Sequence, residues 1–144
     1  MTDLDDPSNS LQASFVRLAK DEHLWQGDLH GALRNITSTL AEALDVDRAS
    51  VWLLDAPQQS LVCRLLFRVD QGSFESGACF KVSDLADYLR LIDDERVFAS
   101  EDVASDPRLQ PFRDTYLLPN GVGSTVDSAL YEGSRLAGVL FLEH

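Results

Sequence analysis

The chain has 144 residues, 44% of them hydrophobic, and 12 Lys and Arg against 24 Asp and Glu leave a formal charge of −12. That length suggests one domain able to bury a core without staples, and the negative balance argues against nucleic acid and anionic membrane surfaces as partners. No apolar run approaches a membrane span, the acidic start MTDLDDPSNS is the reverse of a secretory signal, and two cysteines are too few for a disulfide framework, so a reducing, cytoplasmic protein is expected.

Residues 1–9 read as a frayed leader, and Leu11, Phe15 and Leu18 then fall on one helical face that ends before Gly27. Residues 1–26 thus form a leader and helix, and residues 27–144 the domain proper. Asp28 is placed to cap the next helix, along which Leu29, Leu33, Ile36, Leu40 and Leu44 recur at spacings of four and three. The period then changes. Ala49–Leu54 is a compact strand, and a five-residue turn leads to Leu61, Cys63, Leu65, Phe67 and Val69, which alternate along a half-buried antiparallel partner. Asp70–Gly77 reads as loop and Cys79–Val82 as a short strand.

Ser83 or Asp84 is expected to cap a helix that turns Leu85, Leu89 and Ile92 inward with Tyr88 near that face. Val97–Ala99 is the next strand. Asp106 caps and Pro107 suits a first helical position, while Pro111 divides the region into a turn at 107–110 and a helix from 111 to about 118 carrying Phe112 and Tyr116. Pro119-Asn120-Gly121 stops it. Thr125–Tyr131 and Arg135–Leu142 form a hairpin around Glu132-Gly133-Ser134, and Gly138 inside the last strand suggests a close backbone approach. Strand runs separated by single helices predict an α+β fold, a mainly antiparallel sheet with helices packed on it.

The stretch from Asp28 to His144 resembles a GAF domain of the type found in bacterial sensor histidine kinases and diguanylate cyclases. The resemblance rests on Asp102, Asp106-Pro107-Arg108, Phe112, Tyr116-Leu117, Gly121-Val122-Gly123-Ser124 and Asp127, with Gly138-Val139-Leu140 and Glu143-His144 at the last strand. It implies a PAS-related, six-stranded antiparallel sheet with helices on both faces. One set of helices serves dimerisation. The other face is roofed, here by Cys79–Ile92 and Asp102–Leu118, over a small-molecule pocket.

For this chain the resemblance implies a ligand-sensing module that relays binding to a fused effector, a diguanylate cyclase or histidine kinase, and forms a homodimer through its N-terminal helices. The chain looks like an excised sensor module without output helix or effector, and its Leu-Glu-His end suits either the family or a purification tag. The ligand-binding positions implied are Tyr88, Phe98, Asp102, Phe112, Tyr116, Ser124 and Asp127. Phe112 and Tyr116 either stack a flat ligand or serve as core. Asp127 either accepts a ligand N–H or holds the roof. A structural dimerisation module with a vestigial pocket is the alternative.

Better-known chemistries of the family fit less well. The Asn-Lys-Phe-Asp-Glu set of cyclic-nucleotide binders is absent, Cys79 has no neighbouring His for a bilin, and His23, His30 and His144 lie away from the pocket segments where a haem would need one. A free methionine sulfoxide reductase needs a low-pKa thiolate and a resolving thiol. Cys63 reads as a buried strand residue and Cys79 as the better reactive candidate. Glu101, Asp102 and Asp106 offer oxygens for a hard cation but read as turn, cap and solvated residues. No catalytic residue, metal or cofactor is expected.

Overall fold

The computed structural model describes residues 27–144; the expected helix around Leu11, Phe15 and Leu18 and the dimer contact assigned to it lie outside the described residues. The elements are α1 (Leu29–Ala43), β1 (Arg48–Asp55), β2 (Ser60–Arg68), β3 (Ser73–Glu75), β4 (Cys79–Lys81), α2 (Ala86–Glu95), β5 (Val97–Ser100), the single turn α3 (Gln110–Phe112), β6 (Thr125–Glu132) and β7 (Arg135–Glu143). A 3-10 turn at Val82–Asp84 leads into α2, another at Pro107–Leu109 leads into α3, and a wide π-helical turn, Arg113–Leu117, follows it. The sheet runs β3-β2-β1-β7-β6-β5, with β4 also paired to β2, and every pairing is antiparallel. Seven strands therefore stand where six were expected. The extra one is β3, whose three residues Ser-Phe-Glu are too short to show a period inside the stretch read as loop.

Helix α1 starts as expected, with Asp28 Oδ1 accepting from the Gly31 amide at 3.1 Å. Its buried face differs from the leucine stripe. Ala32, Leu33, Thr37 and Ala41 face the sheet, while Ile36 and Leu40 are half-buried and Leu29 and Leu44 are 61% and 41% exposed. Small side chains on the contact line let a helix sit close on a sheet, and here the leucines flank that line. Thr37 satisfies its buried hydroxyl on the Leu33 carbonyl at 2.9 Å. The opposite face of the sheet carries the main core, where α2 and the 107–117 segment pack on Trp52, Leu61, Cys63, Val139 and Phe141.

The alternation read along β2 is broken by a bulge. Val51 pairs with Leu65 but Trp52 pairs with Cys63, leaving Arg64 as the extra residue. One added residue moves every following side chain to the other face. Leu61, Cys63 and Leu66 therefore join the main core, whereas Leu65 and Phe67 turn toward α1. Gly138 pairs with Leu53, and an added Cβ would lie 2.1 Å from the Trp52 carbonyl oxygen, the close approach that its place in the strand suggested. Gly133, at φ +62, supplies the left-handed residue of the two-residue β6–β7 turn.

Two local expectations change. Neither Ser83 nor Asp84 caps α2 through its side chain: the chain enters by the 3-10 turn, and Leu85 stands at the N-cap position. Pro111 does not separate a turn from a helix, because helical turns run on from Pro107 to Leu117. Pro111 sits in the first turn of α3, where its missing N–H costs nothing. Asp106 caps the 3-10 turn as expected, accepting from the Arg108 amide at 3.0 Å.

Candidate functional site

The space between sheet and roof is lined by aromatic rings that touch one another. Tyr88 on α2 and Phe112 on α3 meet edge to face at 4.7 Å between centroids. Phe112 reaches Phe80 at 4.9 Å and Phe141 at 5.7 Å, and Trp52 packs on Phe80, Tyr116 and Phe141 at 5.4–5.5 Å. Such tilted and T-shaped pairs add to the area each ring buries. The roof is thus packed directly on the floor by large side chains.

Two polar clusters lie beneath it, one under each roof segment. Under α2, the Tyr88 hydroxyl donates to Asp127 Oδ2 at 2.5 Å, and Thr125 Oγ1 donates to Asp127 Oδ1 at 2.6 Å. Asp127 is 2% exposed, and burial pushes its carboxyl up to about 6 against the pull of the two hydroxyl bonds. The Tyr88 hydroxyl is raised in turn by burial and by Asp127. Under the 113–117 turn, the Tyr116 hydroxyl accepts from Arg48 Nη2 at 3.0 Å and donates to Glu143 Oε1 at 2.7 Å. Glu143 is fully buried, and burial pushes its carboxyl up to about 7 although Tyr116 and Arg48 pull it down. Arg48 Nε stands 3.9 Å from Glu143 Oε2, too long for a hydrogen bond, so both atoms lack a direct partner.

Outside Tyr88 a cleft of about 330 Å³ separates α2 from the 107–111 segment. Asp87, Tyr88, Leu91, Pro107, Arg108, Gln110 and Pro111 line it. Arg108 is held in place from two sides: Nε and Nη2 donate to Asp106 at 2.9 and 2.7 Å, and its guanidinium stacks over Phe98 at 4.4 Å. The fork keeps the Asp106 carboxyl well below the usual carboxylate range. Arg113 Nη2 donates to the Asp106 carbonyl at 2.6 Å and ties the two turns together. A second, polar cleft shares Pro107 and Arg108 and runs along Ala99–Asp102, Ser105 and Asp106.

Of the seven positions singled out in the sequence, the fold brings Tyr88, Phe98, Phe112, Tyr116 and Asp127 together in one buried group. Tyr88 alone of the seven lines the 330 Å³ cleft. Asp102 is exposed, accepts from Ser105 Oγ at 2.7 Å and lines the polar cleft. Ser124 exchanges backbone hydrogen bonds with His144 at the end of β7. Arg48 and Glu143, and the cleft residues Asp87, Leu91, Arg108 and Gln110, are not among those seven positions. For Glu143 a signal existed, since it continues the two-residue period of Val139 and Phe141 on the buried face. Cys63 is buried and its thiol is pushed up to about 12 by burial, whereas Cys79 is exposed on β4, the short strand expected there. Among the described residues no group of His, Cys, Asp and Glu is arranged to hold a metal ion, and no helix is long and apolar enough to cross a membrane.

This architecture, an antiparallel sheet with a helix on one face and a short-helix roof on the other, matches the GAF domain family over residues 28–144, and the chain belongs to that family. Solved structures agree at the level of the fold. The GAF domain of an Acinetobacter phosphoenolpyruvate-protein phosphotransferase superposes with a TM-score of 0.63 at 16% identity, covering 100% of this chain and 78% of that one. The phycocyanobilin-bound GAF domain of a cyanobacterial phytochrome gives 0.68 at 19%, covering 96% and 80%. The bacteriophytochrome RpBphP3 of R. palustris gives 0.74 at 17%, covering 100% of this chain but only 33% of that protein. No curated protein matches the chain.

Proposed function

We propose that the domain is a cytoplasmic, non-catalytic sensor that takes a small molecule between α2 and the 107–111 segment and passes the resulting shift of the roof to a fused effector. The observation that carries this reading is the cleft over Tyr88. It is walled by Leu91, Pro107 and Pro111, rimmed by Asp87, Arg108 and Gln110, and backed by a tyrosine whose hydroxyl reaches a buried carboxylate. Apolar walls with a few polar groups are the usual make-up of a small-molecule site. A guest that presses on Tyr88 acts on Asp127 and so on β6. Coupling requires the guest to favour one position of the roof. Phe98, Phe112, Tyr116 and Asp127 are then the deeper wall, reached only when the roof moves. One neighbour of the same fold is a phycocyanobilin-bound domain, which supports reading this fold as one that can take a small-molecule guest. A diguanylate cyclase or histidine kinase is the effector class proposed, with pairing through residues 1–26.

Native mass spectrometry of the full chain, with and without Leu91→Trp, tests the reading. A co-purifying or added small molecule retained by the wild type and lost from the variant supports it. Retention unchanged by a bulky side chain in the cleft removes it.

A structural dimerisation module is the second reading, and one observation favours it: the rings of Trp52, Phe80, Tyr88, Phe112 and Phe141 already occupy the space beneath the roof. Light scattering that shows a tight dimer, together with an empty mass spectrum, would select it.

A further inference from the structure

Three buried or nearly buried carboxylates support the roof side of the sheet, and they differ in what balances them. Asp106 has the Arg108 fork at 2.7 Å, and Glu143 has Arg48 at 3.9 Å. Asp127 has two hydroxyls, those of Tyr88 and Thr125, and no cation within ion-pair distance among the described residues. An ionised carboxylate taken out of water without a cation is costly, and the group either keeps its proton or draws water in.

The surroundings decide which route water can take. Asp127 lies in register between Phe98 on β5 and Phe141 on β7, both buried. Tyr88 covers it from α2, and the far side of Tyr88 is the wall of the 330 Å³ cleft. The charged or titratable groups that face it are Tyr88 on α2, Glu143 on β7 with Arg48 of β1 behind it, and, beyond Phe98, the Arg108–Asp106 pair, whereas Asp87, Arg90, Asp93, Asp94 and Glu95 on α2 and Glu132 and Arg135 at the β6–β7 turn are exposed. Asp127 and Glu143 repel each other when both are ionised. Helix α2 is pinned at its C-terminal end, where the Arg96 carbonyl accepts from the Ala129 amide at 2.8 Å and the Tyr131 hydroxyl donates to the Asp93 carbonyl at 3.1 Å. Its first turn has no side-chain cap. That end is held instead by packing, with Leu85 fully buried beside Tyr88, and by the Val82 amide donating to the Gln59 carbonyl at 2.9 Å, so it is the Tyr88 side chain, facing the cleft, that has room to move.

We propose that Asp127 and Tyr88 form a proton-controlled latch, in which α2 lies closed on the sheet while Asp127 holds a proton and loosens when that proton passes to solvent. In the closed state the neutral carboxyl accepts from one of the two hydroxyls and donates its own proton to the other, and buries no net charge. Loss of the proton leaves an anion that water reaches by displacing Tyr88 toward the cleft. The domain thereby responds to pH near neutrality with no guest bound, and a guest in the cleft and a proton on Asp127 act on the same helix.

Hydrogen exchange of the full chain between pH 5 and 8, corrected for intrinsic rates, tests this. The opening constant of the 86–95 amides is expected to rise with pH, by up to about tenfold per unit above the Asp127 midpoint, because one proton is released. Asp127→Asn should abolish the slope, and Glu143→Gln should retain it. Carbon-13 carboxyl titration reads the midpoint directly. Tyr88→Phe is expected to raise it, since the lost hydroxyl bond favours the ionised form. A slope that survives Asp127→Asn, opening that is equal at pH 5 and 8, or a midpoint that Tyr88→Phe leaves in place would each overturn the latch.

Discussion

Tyr116 donates to Glu143 Oε1 at 2.7 Å while accepting from Arg48 Nη2, so one phenol joins the 113–117 roof turn to a buried charge pair on β1 and β7. The neighbouring segment repeats the device, with Tyr88 of α2 on Asp127 of β6. Each roof segment is thus tied to the floor by one tyrosine hydroxyl and one buried carboxylate, and the rings around them supply the packing.

Removing one member of the Arg48–Tyr116–Glu143 set leaves buried groups without partners. At pH 8, where Glu143 is ionised, Glu143→Leu strands the Arg48 charge and is expected to cost about 3–5 kcal/mol in urea unfolding. Tyr116→Phe is expected to cost about 1–3 kcal/mol, the loss of a hydrogen bond to a charged group. The double change Arg48→Met with Glu143→Leu should recover most of the single-variant loss, because replacing both charges removes the desolvation cost on each side.

Gly138 faces the Trp52 carbonyl and Leu53 across the β1–β7 ladder. A methyl group there meets backbone at 2.1 Å and cannot be accommodated by moving a side chain tip. Gly138→Ala is expected to destabilise by about 3 kcal/mol or more, at the upper end of overpacking effects. The same change at Gly133 strains a left-handed turn instead and should cost only about 1 kcal/mol. Thermal melts of the two variants check the order.

Stability should fall as pH rises from about 4 to 7. The carboxyls of Asp127, pushed up to about 6, and Glu143, pushed up to about 7, bind protons more tightly folded than unfolded. Their contribution is fully present below the unfolded carboxylate range and is lost as pH climbs through the folded values. For Asp127 this amounts to roughly 2–3 kcal/mol. Asp106, held low by Arg108, acts in the opposite sense, and its contribution is lost as the solution becomes strongly acid. A melting temperature highest near pH 4–5, with a shallower decline toward neutrality in Asp127→Asn, is the expected outcome.

The two cysteines should separate in a thiol titration with an aromatic disulfide reagent. Cys79 is exposed and reacts in the folded protein; Cys63 is buried with its thiol pushed up to about 12 and reacts only after unfolding. A fast-reacting Cys63 would revive the reductase chemistry considered from the sequence.

Much of the scaffold was readable because it depends on local period and turn chemistry. The Asp28 and Asp106 caps and the β6–β7 hairpin need only neighbouring residues to explain them, and Gly138 announced a close approach by its residue type alone, though its partner Trp52 lies on a strand distant in sequence. The β2 bulge was not readable, since Leu61, Cys63, Leu65 and Phe67 alternate without interruption and only pairing with β1 reveals the extra Arg64. The leucine stripe of α1 misled for a related reason. Periodicity marks an apolar face but not which edge of it a sheet accepts, and Ala32, Thr37 and Ala41 won that place by size. In the candidate site the aromatics were visible as residue types. The cleft was not, because Asp87, Leu91, Arg108 and Gln110 come from two segments that meet only in the fold.

Amide chemical-shift mapping of the full chain, titrated with the dialysable small-molecule fraction of a bacterial lysate, tests the sensor reading most directly. The account predicts saturable shifts concentrated at Asp87, Tyr88, Leu91, Arg108 and Gln110 and extending through Asp127 into β6. Shifts confined to α1, or a spectrum that never changes, would contradict it.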